Sequence, residues 1–389
     1  MATDPAVLVM VVVGTRPEAI KLAPLVLRLR GVAGLRVRLV ATGQHGELLA
    51  QALAEFDLRA DLDLALMRPD QTLADSTARA LAALDQVIAA ERPALVLAQG
   101  DTTTVLASAL AAFYRRVPFG HVEAGLRTGD PDRPFPEEMN RVLAGQLAAL
   151  HFAPTAQARA NLIRAGIDPA AVHLTGNTGI DALRWVLDRL PARSAPADPA
   201  ARTILITAHR RENLGPPLES ICLAVLDLVA RRPDLRVRFP VHPNPAVRAQ
   251  VEARLGGVDR VALVAPAGYR EFVTLMRASF LILTDSGGVQ EEGPALGVPI
   301  LVLRDVTERP EAVAAGSVRL VGTDRATIVA AVDRLWDDPA SYSAAATAVN
   351  PYGDGFAAER IARIVAARFG LSPPPPPRDF EMTWPRPGG

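Results

Sequence analysis

The sequence predicts an α/β protein made of two halves with the same design. Short β-branched runs alternate with helical stretches along most of the 389 residues, which is typical of helices packed on parallel sheets. The length suggests about two domains at roughly 150 residues each. Pro191 to Ala201 is rich in Pro and Ala and has no apolar period, so we interpret it as the linker between the halves.

Composition narrows the class of protein. Lys plus Arg and Asp plus Glu both number 42, so the net charge is zero, which argues against nucleic acid as a main partner. The single cysteine, Cys222, excludes an intrachain disulfide framework and a cysteine metal cluster, and it fits a reducing cytoplasm. We expect no membrane partner, because no segment approaches about 20 consecutive apolar residues. Met1 to Val13 lacks the basic start of a signal peptide and is better explained as a first buried strand.

The first half is predicted to begin with a strand over Val7–Val13 and a helix that runs to about Arg30. The turn between them lacks the glycines of a dinucleotide fingerprint and is not a Walker loop, but Arg16 beside a helix start makes an anion site plausible. Lys21 within that helix would otherwise lie on a solvated face. The further predicted strands are Val37–Thr42, Ala94–Ala98, Val117–Val122, His151–Ala153 and Val172–Leu174; the further helices are Leu48–Phe56, Leu73–Ala90, Arg141–Leu150, Ala156–Ala165 and one ending near Leu190.

Three acids stand at the breaks of the stretch from Gln99 to Arg141. Asp101 and Glu123 each follow a predicted strand, and Glu137 follows Pro136 at the start of a helix. Ligands of open parallel sheets bind beyond the carboxyl ends of the strands, and carboxyl groups gathered there suit proton transfer. Each acid also has a structural interpretation: Asp101 as a helix cap, Glu123 as a partner of Arg127, and Glu137 as a first-turn acid. Their joint placement favours the catalytic interpretation.

The second half repeats the alternation and ends in a Pro-rich tail. A last helix is predicted over Phe356–Arg368, and Pro373–Pro377 begins a tail that we expect to be disordered. The predicted strands are Thr203–Thr207, Arg236–Val241, Val261–Val264, Phe280–Thr284, Pro299–Leu303 and Val318–Leu320, with helices between them.

Several strand ends of the second half carry residues suited to a phosphate. Thr284 to Gly288 (TDSGG) opens a helix, where glycines let a ligand approach backbone N–H groups; the alternative is a turn capped by Asp285 or Ser286. Glu291 and Glu292 could accept the hydroxyls of a ribose or merely favour the helix start. His209 could carry a proton, donate to phosphate or belong to a structural network, and Arg309 could bind an anion.

These motifs together resemble the bacterial non-hydrolysing UDP-N-acetylglucosamine 2-epimerases. The resemblance runs in order from about Val7 to Phe369 and leaves out the Pro-rich tail. The segments that carry it are GTRPEAIK at 14–21, GDTTT at 100–104, HVEAGLRTG at 121–129, PEE at 136–138, TDSGG at 284–288, TERPE at 307–311 and NPYGD at 350–354.

The resemblance implies the glycosyltransferase-B architecture, with two Rossmann-like domains and a cleft between them. The domains would span 1–190 and 202–350, joined by a linker at 191–201, with a helix at 351–370 returning to the first domain and a tail at 371–389. The implied reaction is reversible epimerisation at C2 of UDP-N-acetylglucosamine (UDP-GlcNAc) to UDP-N-acetylmannosamine (UDP-ManNAc), by elimination and re-addition of UDP through 2-acetamidoglucal. The family uses no metal or redox cofactor and works as a cytoplasmic homodimer in polysaccharide biosynthesis.

The resemblance also assigns residues. It implies Asp101, Glu123 and Glu137 as acid–base groups, with His209 assisting. The other residues that match substrate-contacting positions are Arg16, Lys21, Phe272, Ser286, Gly287, Gly288, Glu292 and Arg309. Many relatives bind a second UDP-GlcNAc as an activator, and Gln44, Arg210 and His242 match that site, but Gly46 and Leu48 depart from its pattern. The open alternatives are a hydrolysing relative, a glycosyltransferase, a non-catalytic nucleotide-sugar sensor and a modified sugar as substrate.

Overall fold

The computed structural model describes residues 6–43, 46–68, 71–191, 201–377 and 379–382. The chain forms two compact units: the first unit comprises Met1–Trp185 and Tyr352–Gly389, and the second unit comprises Val186–Pro351. Both contain a parallel sheet with alternating helices, which confirms the predicted α/β class. Most of the predicted linker, 192–200, lies outside the described residues, as does Gln44.

The first unit has a seven-stranded parallel sheet in the order β3-β2-β1-β4-β5-β6-β7. Strand β1, which lies inside the sheet, reads VLVMVVV and is buried along almost its whole length, as expected for a strand covered on both faces. The strands are β1 Val7–Val13, β2 Leu35–Ala41, β3 Leu62–Asp63, β4 Leu95–Gln99, β5 Phe119–Val122, β6 Leu150–Ala153 and β7 Val172–Leu174; the helices are α1 Arg16–Arg30, α2 Gly46–Ala54, α3 Leu73–Glu91, α4 Thr103–Tyr114, α5 Glu137–Leu147, α6 Ala156–Arg164 and α7 Thr178–Leu187.

The second unit has a six-stranded parallel sheet in the order β10-β9-β8-β11-β12-β13. Its apolar core lies between the sheet and its helices and includes Phe239, Cys222 and Trp336. The strands are β8 Arg202–Thr207, β9 Leu235–Pro240, β10 Val261–Val264, β11 Leu281–Thr284, β12 Ile300–Val302 and β13 Val318–Leu320; the helices are α8 Pro216–Arg231, α9 Pro245–Leu255, α10 Tyr269–Ala278, α11 Gly287–Ala295, α12 Pro310–Ala315, α13 Arg325–Asp337 and α14 Pro339–Ala346.

The last helix, α15 (Ala357–Arg368), belongs to the first unit, where the Asp181 carboxylate accepts hydrogen bonds from the N–H groups of Ala357 and Ala358. The described part of the tail contacts this helix: the Phe380 ring lies beneath the guanidinium groups of Arg360 and Arg363. The rest of the tail that we expected to be disordered, from residue 383, lies outside the described residues. No helix of the described chain is both long and apolar enough to cross a bilayer.

Two details of the first unit differ from the sequence prediction. The helix expected over Arg141–Leu150 is α5, which begins at Glu137 and ends at Leu147. Its N-cap is Pro136, and Glu137 and Glu138 place two acids in its first turn, where negative charge is favourable. The short strand β3 was not predicted, because two residues are too few to show an alternation.

Candidate active site

Asp101 and Glu123 lie at the same edge of the first sheet. Strands β4 and β5 are parallel neighbours, and the N–H of Gly100 donates to the carbonyl oxygen of Val122 at 3.0 Å. Each acid is the next residue after this hydrogen-bonded pair. The structure therefore brings the two acids together beyond the carboxyl ends of adjacent strands, where open α/β sheets bind their ligands.

Glu123 is a buried acid in a strained backbone conformation. Its φ is 60°, in the left-handed region that costs a residue other than glycine about 1 kcal/mol or more. Only 6% of the residue is exposed, and Lys21 Nζ lies 2.6 Å from Glu123 Oε2. The ion pair is thus with Lys21, whereas Arg127 Nη1 donates to the Leu126 carbonyl. The solvated face considered for Lys21 is wrong, since that residue is buried.

Asp101 faces the helix that carries Glu137. Arg141 Nη1 lies 2.9 Å from Asp101 Oδ2, and Asn140 Nδ2 donates to the Asp101 carbonyl at 2.9 Å. Glu137 is the first residue of that helix, one turn before Arg141, and is half-buried. Thr102 rather than Asp101 caps α4, so the Asp101 carboxylate is not used as a cap. It retains 27% side-chain exposure, enough to meet a ligand.

Glu18 and His121, which were not among the predicted site residues, hold the loops around Asp101 in place. The Glu18 carboxylate accepts hydrogen bonds from Gly14 N, Thr15 N and the Thr102 hydroxyl, which ties the turn before Arg16 to the turn after Asp101. Burial raises the pKa of Glu18 to about 7. Arg16 opens α1 and is half-buried.

His121 holds the other side of the Asp101 turn. Its Nε2 lies 2.7 Å from the Gly100 carbonyl oxygen, so this nitrogen is the donor. Burial lowers the pKa of His121 to about 3, which keeps the ring neutral. Glu123 lies past the end of β5 with positive φ, so the side-chain alternation of the strand that contains His121 does not extend to it.

In the second unit Asp285 is a hub rather than a helix cap. Its Oδ2 accepts from the N–H groups of His209 and Arg210 at 2.8 and 2.9 Å and from Asn213 Nδ2 at 3.0 Å. His209 Nδ1 lies 3.1 Å from Oδ1. Burial acts to raise the pKa of Asp285, but His209 and the backbone donors outweigh it and lower the pKa. Asp285 therefore orients His209, whose side chain is 37% exposed.

Arg309 lies against the start of α11. A Cβ at Gly287 would approach Arg309 Nη1 to 2.6 Å, so only glycine leaves room for the guanidinium there. Arg309 Nε donates to Glu291 Oε1 at 2.6 Å, and Nη1 donates to Glu308. Glu291 thus anchors an arginine in this structure, which accounts for its complete burial.

The N-terminus of α11 resembles an anion-binding site. Ser286 is the N-cap, yet its side chain makes no capping bond. A Cβ at Gly288 would meet nothing within 4 Å, so there is open space beside this backbone. The first N–H groups of any helix have no acceptor within the helix and favour anions. Nearby, Glu292 accepts from the Tyr269 hydroxyl at 3.2 Å, and Phe272 on the same helix as Tyr269 is half-buried.

Of the three residues matched to the activator site, two are described. The His242 ring stacks on His209 with centroids 5.3 Å apart, and its Nδ1 accepts from Asn244 N. Burial and the neighbouring His209 lower the pKa of His242. Arg210 Nη2 lies 3.9 Å from Glu308. Within the described ranges no group of three or more His, Cys, Asp or Glu side chains is placed to hold a metal ion.

Sequence reasoning missed Glu18, Asn177, His121 as a positioning group and Glu308. Glu18 and His121 lie inside segments that carry the resemblance, and Asn177 follows a strand within Thr175–Gly179, the same kind of position that drew attention to Asp101. Glu308 is flanked by Arg309 and lies four residues after Arg304, a spacing that could have indicated an ion-pair cluster.

A family model described as UDP-N-acetylglucosamine 2-epimerase matches residues 28–366 of the chain. The UDP-N-acetylglucosamine 2-epimerase of Escherichia coli is 50% identical over 363 residues, covering 91% of this chain and 96% of that protein. The protein of the same name from Bacillus subtilis is 46% identical over 368 residues, covering 93% and 96%.

Solved structures are similar over the same extent. UDP-GlcNAc 2-epimerase from Neisseria meningitidis, bound to UDP-GlcNAc, has a TM-score of 0.89 and 44% identity, covering 92% of this chain and all of that chain. The enzyme of Methanocaldococcus jannaschii, in complex with UDP-GlcNAc and UDP, has a TM-score of 0.81 and 33% identity, covering 92% and 99%.

Proposed function

The chain belongs to the UDP-N-acetylglucosamine 2-epimerase family, and from that premise we propose that it interconverts UDP-GlcNAc and UDP-ManNAc without hydrolysing them. The observation that carries the proposal is Glu123: a buried carboxylate with positive φ, paired with Lys21, at the edge where Asp101 also emerges. Backbone strain of this kind persists at functional sites, where the surrounding structure enforces it.

We propose that the reaction proceeds by elimination and re-addition of UDP. A base removes the C2 proton, the C–H electron pair forms a C1=C2 double bond, and the C1–O bond breaks as its electron pair leaves with UDP. This gives 2-acetamidoglucal. In the reverse step a diphosphate oxygen attacks C1 while C2 takes a proton on the opposite face. Inversion therefore needs proton transfer on both faces and more than one acid–base group.

In the first unit Asp101, Glu123 and Glu137 are the proposed acid–base groups. Lys21 Nζ lies 2.6 Å from Glu123 Oε2, and Arg141 Nη1 lies 2.9 Å from Asp101 Oδ2, so each acid has a cationic partner. Arg16 at the start of α1 supplies a positive group beside the helix N-terminus for an anionic part of the substrate.

In the second unit the proposed task is to hold the diphosphate and uridine. The open backbone at Gly288, the unused Ser286 side chain and the Arg309 guanidinium offer donors to the charge that develops as UDP leaves. For His209, which Asp285 orients, we propose the role of donating to the diphosphate or of assisting proton transfer. Glu292 is the proposed acceptor for ribose hydroxyls, and Phe272 is a further residue proposed to contact the nucleotide sugar.

Proton NMR of UDP-GlcNAc with the pure protein in deuterated buffer tests the proposal. We expect UDP-ManNAc to form and deuterium to enter C2 of both nucleotide sugars. Free ManNAc plus UDP would instead indicate a hydrolysing enzyme. Tight binding without turnover would indicate a sensor, and no deuterium at C2 during epimerisation would contradict the elimination mechanism.

We also propose a cytoplasmic homodimer. Support comes from the family and from exposed apolar side chains on two helices of the first unit. These side chains are Phe113 and Tyr114 on α4 and Met139 and Leu143 on α5. Sedimentation velocity of the wild-type protein and of Leu143→Asp tests this. A monomeric wild-type protein would contradict it.

A further inference from the structure

Asn177 is a buried amide whose orientation is fixed at both ends. It lies between β7 and α7 and is 1% exposed. Its Oδ1 accepts from the N–H of Gly179 at 2.8 Å, and its Nδ2 donates to Glu123 Oε2 at 3.0 Å. Because a backbone N–H can only donate, the oxygen of the amide must face Gly179. The nitrogen must therefore face the carboxylate.

The backbone of Asn177 is held as firmly as its side chain. Its N–H donates to the Tyr352 carbonyl at 2.6 Å, within the segment by which the chain returns to the first unit. The Nδ2 donor thus has little freedom to leave Glu123 unless this contact also breaks. A donor that is immobilised before the reaction needs no reorganisation during it.

Lys21 and Asn177 both reach the same oxygen of Glu123. Lys21 Nζ lies 2.6 Å and Asn177 Nδ2 3.0 Å from Oε2. The lysine stem passes over Gly179, where a Cβ would lie 3.5 Å from Lys21 Cε. Lys21 contributes a positive charge, and Asn177 contributes a hydrogen-bond donor of fixed direction. Two donors at one oxygen set the rotation of the carboxyl plane, which a single flexible lysine would leave variable.

We propose that Asn177 is a positioning residue that orients Glu123 and stabilises its ionised form for proton abstraction. The proposal rests on the acid–base role proposed for Glu123. The charged group that faces Glu123 from α1 is Lys21, and on the helix after Asn177 the next acid is Asp181, whose carboxylate is bonded to Ala357 N and Ala358 N. The amide itself does not titrate, so it supports Glu123 at any pH.

Asn177→Asp in the full-length enzyme is the sharpest test. Aspartate has the same shape and still accepts from Gly179, but it replaces the donor with a second carboxylate oxygen beside Glu123. The like charge should raise the pKa of Glu123, so the acidic limb of kcat/KM for UDP-GlcNAc should move up by about one pH unit or more. Asn177→Ala should lower kcat by roughly 10–100-fold, because it removes a hydrogen bond to a charged group. KM should change little in both.

Asn161→Asp is the matched control. Its Nδ2 donates to the Gly125 carbonyl in the same unit, so the same isosteric change there faces a backbone oxygen instead of Glu123. The acidic limb should stay where it is in the wild type. Circular dichroism and thermal melts of all variants show whether any rate loss reflects unfolding.

Glu123→Gln separates the two levels of the proposal. If it loses turnover while Asn177→Asp keeps the wild-type rate and pH profile, the positioning role is wrong and the role of Glu123 stands. An Asn177→Asp enzyme that loses rate equally at every pH has only a structural asparagine, which also overturns the positioning role. If Glu123→Gln retains turnover, both assignments fail. A shifted acidic limb in Asn177→Asp supports the proposal if the residual activity of the double variant, Glu123→Gln with Asn177→Asp, lacks that shift.

Discussion

Two buried carboxyl groups of the first unit, Glu18 and Asp181, have raised pKa values, whereas two of the second unit, Asp285 and Glu308, have lowered ones. Burial raises the pKa of Glu18 and of Asp181 to about 7, and their closest donors are neutral N–H and O–H groups. Burial also acts to raise the pKa of Glu308, but Arg309, Arg304 and Arg210 outweigh it and lower the pKa. Asp285 is lowered in the same way by His209 and backbone donors.

The difference separates two uses of a buried acid. In the second unit Asp285 and Glu308, whose pKa values are lowered, hold His209, Arg304 and Arg309 in place, so these side chains are oriented before any ligand arrives. In the first unit Glu18 and Asp181 mainly accept backbone hydrogen bonds and are charged only in part near neutral pH. Fixed cations suit a diphosphate, and this contrast can be tested from both sides.

The largest expected effect is on turnover in the first unit. Asp101→Asn, Glu123→Gln and Glu137→Gln should each lower kcat by about 10²–10⁴-fold, the usual contribution of an acid–base group, while UDP affinity changes little. Coupled assays of epimerisation and calorimetry with UDP measure the two quantities. Glu91→Gln, which removes only a surface partner of Arg38, is the control. A near-wild-type rate in any of the three assigns that residue to structure.

The second effect is on the stability of the second unit. Glu308→Gln removes the buried anion that Arg304 and Arg309 share and leaves Arg309 with Glu291 alone, so it should destabilise the unit by about 3 kcal/mol. Hydrogen exchange of peptides from the second unit reports it directly. Glu252→Gln removes an exposed pair with Arg248 and should cost roughly 0–1 kcal/mol. Equal effects of the two changes would refute the view that Glu308 anchors these arginines.

The third effect concerns anion binding. Gly287→Ala places a methyl group against Arg309 and should weaken UDP binding by roughly 10–100-fold through the displaced charge-assisted donor. Gly288→Ala meets no protein atom, so it should leave the free protein unchanged and weaken UDP only by crowding the ligand. Calorimetry with UDP, with thermal melts of the free variants, distinguishes them. Normal UDP affinity in Gly287→Ala would remove Arg309 from the anion site.

The sequence predicts which residues lie at the edge of each sheet better than it predicts their partners from distant parts of the chain. Asp101 and Glu123 could be placed together because parallel strands bring consecutive loops to one edge. The pairing of Lys21 with Glu123 could not, since the residues are 102 positions apart and meet only when α1 packs on the sheet. Likewise, nothing in the TDSGG motif shows that the first of its glycines exists to admit Arg309. Local patterns specify elements, whereas partners distant in sequence depend on packing.

The fourth expected effect is a change in how the stability of the first unit depends on pH. Glu18 has an ordinary pKa of 4.5 that rises to about 7 in the folded protein. Between these values the folded state holds a proton that the unfolded state has lost, so stability falls as pH rises through this window, by up to about 1.4 kcal/mol per pH unit.

Glu18→Gln should therefore flatten this slope. Its amide oxygen can still accept from Gly14 and Thr15, and its nitrogen can donate to the Thr102 hydroxyl oxygen. Some slope should remain, because Asp181 has a raised pKa of the same origin. Hydrogen exchange of peptides from β1 and α1 between pH 5 and 8 measures it. Glu308 should change stability in the opposite direction. Its pKa is lowered in the folded protein, so it contributes stability at pH values above its unfolded-state pKa, and this stability is lost in acid. An unchanged first-unit slope in Glu18→Gln would mean that Glu18 is ionised throughout and that the contrast between the units does not include it.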